Sequence, residues 1–138
     1  MDEPNVLIVD DERDYIETLA KRLKRRGLEI TGFENGEDAL KWLVENSADI
    51  VLLDVRMRGM DGIQVLREIK KEFPLVEVIM LTGHASTEVA IEGMELGAFD
   101  YLMKPVDFDE LLYKIQDAHK KKSIQEEKIR GMKKIITG

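Results

Sequence analysis

Residues 50–62 read Ile50-Val51-Leu52-Leu53-Asp54-Val55-Arg56-Met57-Arg58-Gly59-Met60-Asp61-Gly62. Four apolar residues in a row, ended by a carboxylate and followed by a glycine-bearing turn, predict a strand buried on both faces, as parallel sheets require. Asp54 then stands at the carboxyl end of that strand. In open α/β sheets ligands bind in the crevice beyond those ends, which makes Asp54 a site candidate.

The same pattern recurs along the chain. Val6-Leu7-Ile8-Val9 is ended by Asp10-Asp11-Glu12, residues 28–33 read as a strand, 76–81 as another finishing at Thr82-Gly83-His84, and 99–103 as the last, before Lys104-Pro105. Helical spacing lies between. Tyr15 or Ile16, Leu19 and Leu23 form one stripe closed by Gly27, and Ala39, Leu40 and Leu43 form a second after an Asn35-Gly36 turn, with Trp42 at its edge. Ile63, Leu66 and Ile69 follow an Asp61/Gln64 capping box and stop before Pro74. A short helix over about 86–96 carries Gly93, which costs about 1 kcal/mol against alanine and predicts the loosest helix. Ala90, Ile91 and Met94 are its expected core stripe, leaving Val89 and Leu96 pointing elsewhere. Asp107 with Glu110 forms a capping box for the final helix. Strands alternating with helices in this way predict an α/β fold: a parallel sheet, helices on both faces and right-handed crossovers.

At 138 residues the chain fits one domain, which buries roughly two thirds of its unfolded surface. A net charge of −7 disfavours a nucleic-acid-binding surface and suits an acidic pocket holding cations. Without cysteine there is no disulfide, thiol catalysis or thiolate metal site, and two histidines leave little for an imidazole site, so any metal is expected to take oxygen ligands. The acidic start, Met1-Asp2-Glu3-Pro4, is unlike a signal peptide, and no apolar run is long enough to span a bilayer; the expected location is the cytoplasm, with no membrane partner.

Placing the strand ends on one edge of the sheet brings together Asp10, Asp11, Asp54, Thr82 and Lys104. Clustered carboxylates repel, and a hard cation with oxygen ligands neutralises them best, Mg²⁺ where phosphate is also present. An acidic cluster, a lysine and a hydroxyl around one crevice suit phosphoryl transfer with a carboxylate nucleophile. Singly, each has an ordinary explanation: a helix cap for Asp10 or Asp11, a loop acid for Asp54, a β-branched strand end for Thr82, a surface lysine for Lys104. Their coincidence at successive strand ends is what carries the signal.

On these motifs, the acidic pair Asp10-Asp11, Asp54 with Met60-Asp61-Gly62, Thr82-Gly83 and Lys104-Pro105, the chain closely resembles the receiver domain of two-component response regulators over residues 6–118. The resemblance implies a flavodoxin-like, doubly wound five-stranded sheet in the order 2-1-3-4-5. It implies a receiver domain over 1–118, with 119–138 a charged helical extension or linker. Asp54 becomes the expected phosphoacceptor. The expected Mg²⁺ ligands are Asp11, Asp54 and the backbone carbonyl of Arg56, with Asp10 holding the metal through water. Thr82 and the Gly83 N–H are expected to bind phosphoryl oxygens, and Lys104 to pair with one, with Lys104-Pro105 in the cis form.

Tyr101 matches the family's switch aromatic, and Thr82 is expected to move with it. Val89 and Leu96 are candidate contacts on a surface of the fourth helix, fifth strand and fifth helix that changes on phosphorylation. The implied partners are a sensor histidine kinase or phosphotransfer protein and a downstream target or output domain, with a homodimer possible on phosphorylation. The implied chemistry is self-modification and autodephosphorylation, with no external metabolite turned over. Arg58 departs from the proline usual before Gly59. Arg56 and His84, two residues beyond Asp54 and Thr82, are expected to tune the lifetime of the phosphorylated state. A haloacid-dehalogenase-like phosphatase would want a second acid where Arg56 stands, and a flavin module would want a glycine- and hydroxyl-rich loop where Asp10-Asp11-Glu12 stands.

In the last helix Phe108, Leu111, Ile115, Ala118, Ile129, Met132 and Ile136 keep a three-four spacing, but Lys122 and Gln125 interrupt the seam and Gly131 its end. This favours a frayed, charged extension over a helical seam for pairing or for joining another domain. No DNA-binding or ATPase motif follows Ala118, so a DNA-directed output is expected only from sequence beyond Gly138.

Overall fold

The computed structural model describes residues 3–57, 61–83 and 87–137. The apolar runs form strands β1 Asn5–Val9, β2 Glu29–Phe33, β3 Ile50–Asp54, β4 Glu77–Thr82 and β5 Asp100–Met103. They alternate with helices α1 Arg13–Lys24, α2 Gly36–Glu45, α3 Gly62–Glu72, α4 Thr87–Glu95 and α5 Phe108–Thr137. All strand pairs are parallel, in the order β2-β1-β3-β4-β5.

Side-chain alternation explains why the central strands are apolar throughout. Leu7, Val9, Val51, Leu53, Val78 and Met80 face one side, where they pack with Leu43 of α2 and Leu66 and Ile69 of α3. Val6, Ile8, Ile50, Leu52, Ile79 and Leu81 face the other, against Leu19 and Leu23 of α1 and Leu111, Ile115 and Ala118 of α5. Every residue of β3 is buried, and each such Leu, Ile or Val side chain contributes about 1.5–3 kcal/mol on burial. This two-sided burial fixes the carboxyl end of β3 in space.

Local signals set the helix ends. Asp61 and Gln64 form both halves of the expected capping box. Asn35, read above as part of a turn, caps α2 by accepting from Asp38 N–H. After α1, Gly27 at φ 90° donates to the Lys24 carbonyl while Leu28 donates to that of Leu23, the glycine-closed ending expected. Asp107 accepts from Glu110 N–H at the start of α5.

Two expectations are corrected. In α4, Ile91 and Met94 are exposed by 53% and 45%, whereas Val89 and Leu96 pack against the core. The residue that faces inward is Gly93, the buried residue of this helix; a β-carbon there would meet the Met80 side chain. The helix lies so close to β4 that its backbone meets the strand at Gly93, while Val89 and Leu96 pack against the same core layer. The frayed reading of the tail also gives way, because α5 is one unbroken helix of 30 residues. Lys121 pairs with the buried Glu77 at 2.9 Å and Lys122 with Asp49 at 3.0 Å, fastening the helix to the opposite edge of the sheet. Among the described residues no helix is long and apolar enough to cross a membrane.

Candidate functional site

At the carboxyl edge of the sheet three charged side chains from three strand ends meet. Asp10, after β1, is 1% exposed; its Oδ2 accepts from Lys104 Nζ at 2.7 Å and its Oδ1 from Glu12 N–H at 2.9 Å. Lys104, after β5, also lies 3.8 Å from Asp54 Oδ2. Asp54 is 6% exposed, and its Oδ1 accepts from Arg56 N–H at 3.2 Å. The ammonium therefore bridges the two most buried acids of the site.

The backbone builds this arrangement. Lys104 N–H donates to the Thr82 carbonyl at 2.7 Å, registering the ends of β5 and β4, and Val55 N–H donates to the Leu81 carbonyl at 3.1 Å, registering β3 with β4. Lys104-Pro105 is cis. Gly62 N–H donates to the Val55 carbonyl at 3.0 Å. A β-carbon at Gly62 would meet the Asp54 carbonyl oxygen and the Val55 backbone, so only glycine lets α3 start this close to the end of β3.

Electrostatics follow from this crowding. Burial and then the Asp10 charge raise the Asp54 pKa to about 6, against the pull of Lys104 and the Arg56 N–H. Burial acts to lower Lys104, but its hydrogen bond to Asp10 and the charges of Asp10 and Asp54 outweigh it, and the net shift is upward. Lys104 is a fixed cation at neutral pH.

The carboxylates of Asp10, Asp11 and Glu12 come within 4.8 Å of one another. An all-oxygen, all-anionic donor set suits a hard divalent cation such as Mg²⁺ and offers nothing to a soft one. Thr82 is buried at the end of β4 and lines a cleft of about 360 Å³ with Val55, Arg56, Asp61 and Val89. Gly83 is exposed just beyond it. Tyr101 is half-buried on β5, beside Met80 in the sheet register, and packs on the side of α2, α3 and α4. His84, Arg58, Gly59 and Met60 lie outside the described residues.

The family model for the response regulator receiver domain matches residues 6–116. This chain belongs to that family. The receiver is 40% identical over 113 residues, 82% of the chain, to the DNA-binding transcriptional regulator NtrC of Escherichia coli (strain K12), covering 24% of it. It is 39% identical over 117 residues, 85% of the chain, to the transcriptional regulatory protein ZraR of the same organism, covering 26%. It thus spans about a quarter of the length of these curated relatives. Among solved structures, a response regulator receiver domain protein from Clostridium thermocellum superposes with a TM-score of 0.84 at 35% identity, over 88% of this chain and 98% of that one. A CheY-like receiver domain protein from Methanospirillum hungatei JF-1 gives 0.85 at 28% identity, over 89% and 98%.

Two residues of the receiver site were not singled out from the sequence. Glu12 joins the acidic cluster, and its signal was the third acid in the run after β1. Tyr15 presents its ring to Lys104 Nζ at 4.1 Å from the centroid. The sequence carried no signal for this contact, because no spacing relates a residue of α1 to the one after β5.

Proposed function

We propose that the chain is a phosphoacceptor signalling module, with Asp54 as the residue modified. The observation that carries this reading is the meeting of Asp10, Lys104 and Asp54 at one edge of the sheet. An Asp54 carboxylate oxygen attacks the phosphorus of a phosphohistidine on a sensor kinase or phosphotransfer protein. The P–N bond breaks and the imidazole leaves with its electron pair, taking a proton from solvent. Lys104 is placed to neutralise charge on the transferring oxygens, and Thr82 with the Gly83 N–H to hydrogen-bond them. Asp11, Asp54 and the Arg56 carbonyl would hold Mg²⁺, with Asp10 acting through water. That ion supplies further charge neutralisation on the phosphoryl group. Reset is hydrolysis: water attacks phosphorus, the P–O bond to Asp54 breaks, phosphate departs and the carboxylate returns. The module modifies and restores itself without turning over another substrate.

The added charge and acceptors on Asp54 draw on Thr82 and shift Tyr101, altering the face of α4, β5 and α5. On α4 and β5 the exposed large apolar side chains among the described residues are Ile91, Met94 and Met103, in place of the partly buried Val89 and Leu96. A protein target, an output domain joined through α5 or a second phosphorylated copy would read it. A cytoplasmic site of action fits relatives named as transcriptional regulators.

The test is intact mass after incubation with Mg²⁺ and a small acyl phosphate. One phosphoryl group that requires both Mg²⁺ and Asp54, and is absent from Asp54→Asn, is expected. Labelling of Asp54→Asn to the same extent as wild type, or none of a folded wild type, would overturn the reading.

A further inference from the structure

We infer that Tyr15 is a positioning residue for Lys104, an inference that rests on the phosphoacceptor reading of Asp54. Among the described residues, the ammonium of Lys104 has three charged or aromatic neighbours: Asp10 Oδ2 at 2.7 Å, Asp54 Oδ2 at 3.8 Å and the Tyr15 ring, whose centroid lies 4.1 Å away. A lysine ammonium is a compact, strongly hydrated charge on a flexible stem, and the two carboxylates alone leave one flank of it open. The Tyr15 ring closes that flank. Its electron-rich face attracts the cation while its apolar body displaces water, so the charge stays beside the two acids.

The ring is itself held. Tyr15 is half-buried in the first turn of α1 and packs with the core layer of α1 and α5. With Leu19, Val106, Phe108 and Leu111 it lines a cleft of about 160 Å³ between α1 and the start of α5. Lys104 is only 15% exposed on its side chain, so the contact is formed where water screens it poorly. When a phosphoryl group forms on Asp54, the ammonium needs only to swing from Asp10 toward the new oxygens. The ring limits its travel in the other direction. The inference requires the aromatic face and not the hydroxyl.

The experiment compares wild type, Tyr15→Phe and Tyr15→Leu in acyl-phosphate labelling with Mg²⁺, and reads the Lys104 side-chain NMR signals of each. Wild-type Lys104 ε-protons are expected upfield from the ring current, as are those of Tyr15→Phe, and at ordinary positions in Tyr15→Leu. The labelling rate at saturating donor is expected to fall three- to tenfold in Tyr15→Leu, with half-saturation by Mg²⁺ within twofold of wild type, and to be restored in Tyr15→Phe. A labelled wild type with Tyr15→Leu at the same rate, or loss of rate in Tyr15→Phe equal to that in Tyr15→Leu, overturns the assignment to Tyr15 alone. Absence of the upfield shift in wild type overturns it too, and needs no variant to fold. A folded wild type that takes no phosphoryl group overturns the underlying function, and the positioning role with it.

Discussion

Asp54 is buried among like charge, and its pKa of about 6 has a thermodynamic consequence. Between about pH 4, where an unfolded aspartate titrates, and about pH 6 the folded protein binds more protons at Asp54 than the unfolded chain does. Stability contributed by this group is therefore lost as pH rises through that window, and above it the ionised carboxylate is a standing destabilisation. Asp54→Asn is expected to stabilise the metal-free protein at pH 7.5 by about 1–2 kcal/mol, allowing for the water that still reaches the site. Thermal melts in chelator test this, and a Tm for Asp54→Asn below wild type would contradict it. Excess Mg²⁺ should narrow the gap by stabilising the wild type more. The acidic pair, Asp54 and Lys104 were legible as candidates because each ends an apolar run. The Lys104–Tyr15 contact was not, because it joins residues on α1 and after β5 that no sequence spacing relates.

At the scale of elements, Gly62 and Gly93 are both held by close approach but differ in what they approach. A methyl at Gly62 would meet the Asp54 and Val55 backbone, which cannot yield without shifting the end of β3. A methyl at Gly93 would meet the end of the Met80 side chain, which has other rotamers. Gly93→Ala also gains about 1 kcal/mol of helix propensity that partly offsets the overpacking. Gly62→Ala is expected to cost about 2–4 kcal/mol in chemical denaturation and Gly93→Ala less than about 2. The reverse order would refute this account. The periodicity of α4 misled because the inward face is centred on Gly93, with Val89 and Leu96 also packing against the core, which leaves Ile91 and Met94 outside.

Across the whole molecule, α5 joins the site edge of the sheet to the opposite edge and continues past it. Leu111, Ile115 and Ala118 are buried, whereas Ile135 and Ile136 are 83% and 79% exposed. Between them Lys121 and Lys122 reach Glu77 and Asp49, side chains that are 5% and 24% exposed. Short helical segments without tertiary support are marginal in water, so the helix beyond this clamp depends on it. Replacing both lysines by alanine is expected to leave amide protection over 111–118 intact and to abolish it from about 119 onward in hydrogen exchange. Unchanged protection at 119–126 would show that the ion pairs do not anchor the helix.

The sequence by itself determined the sheet, because strands buried on both faces must be apolar at every position. It also placed the site's acids and lysine, because a polar residue that ends such a run can only lie at the sheet edge. Tertiary structure decided what depends on distances between remote segments. It placed Gly93 against Met80, closed Lys104 beneath Tyr15, and fastened α5 to Glu77 and Asp49. Periodicity records which face of an element is apolar, but the gap between two packed elements, and the charge that bridges it, exist only once the chain has folded.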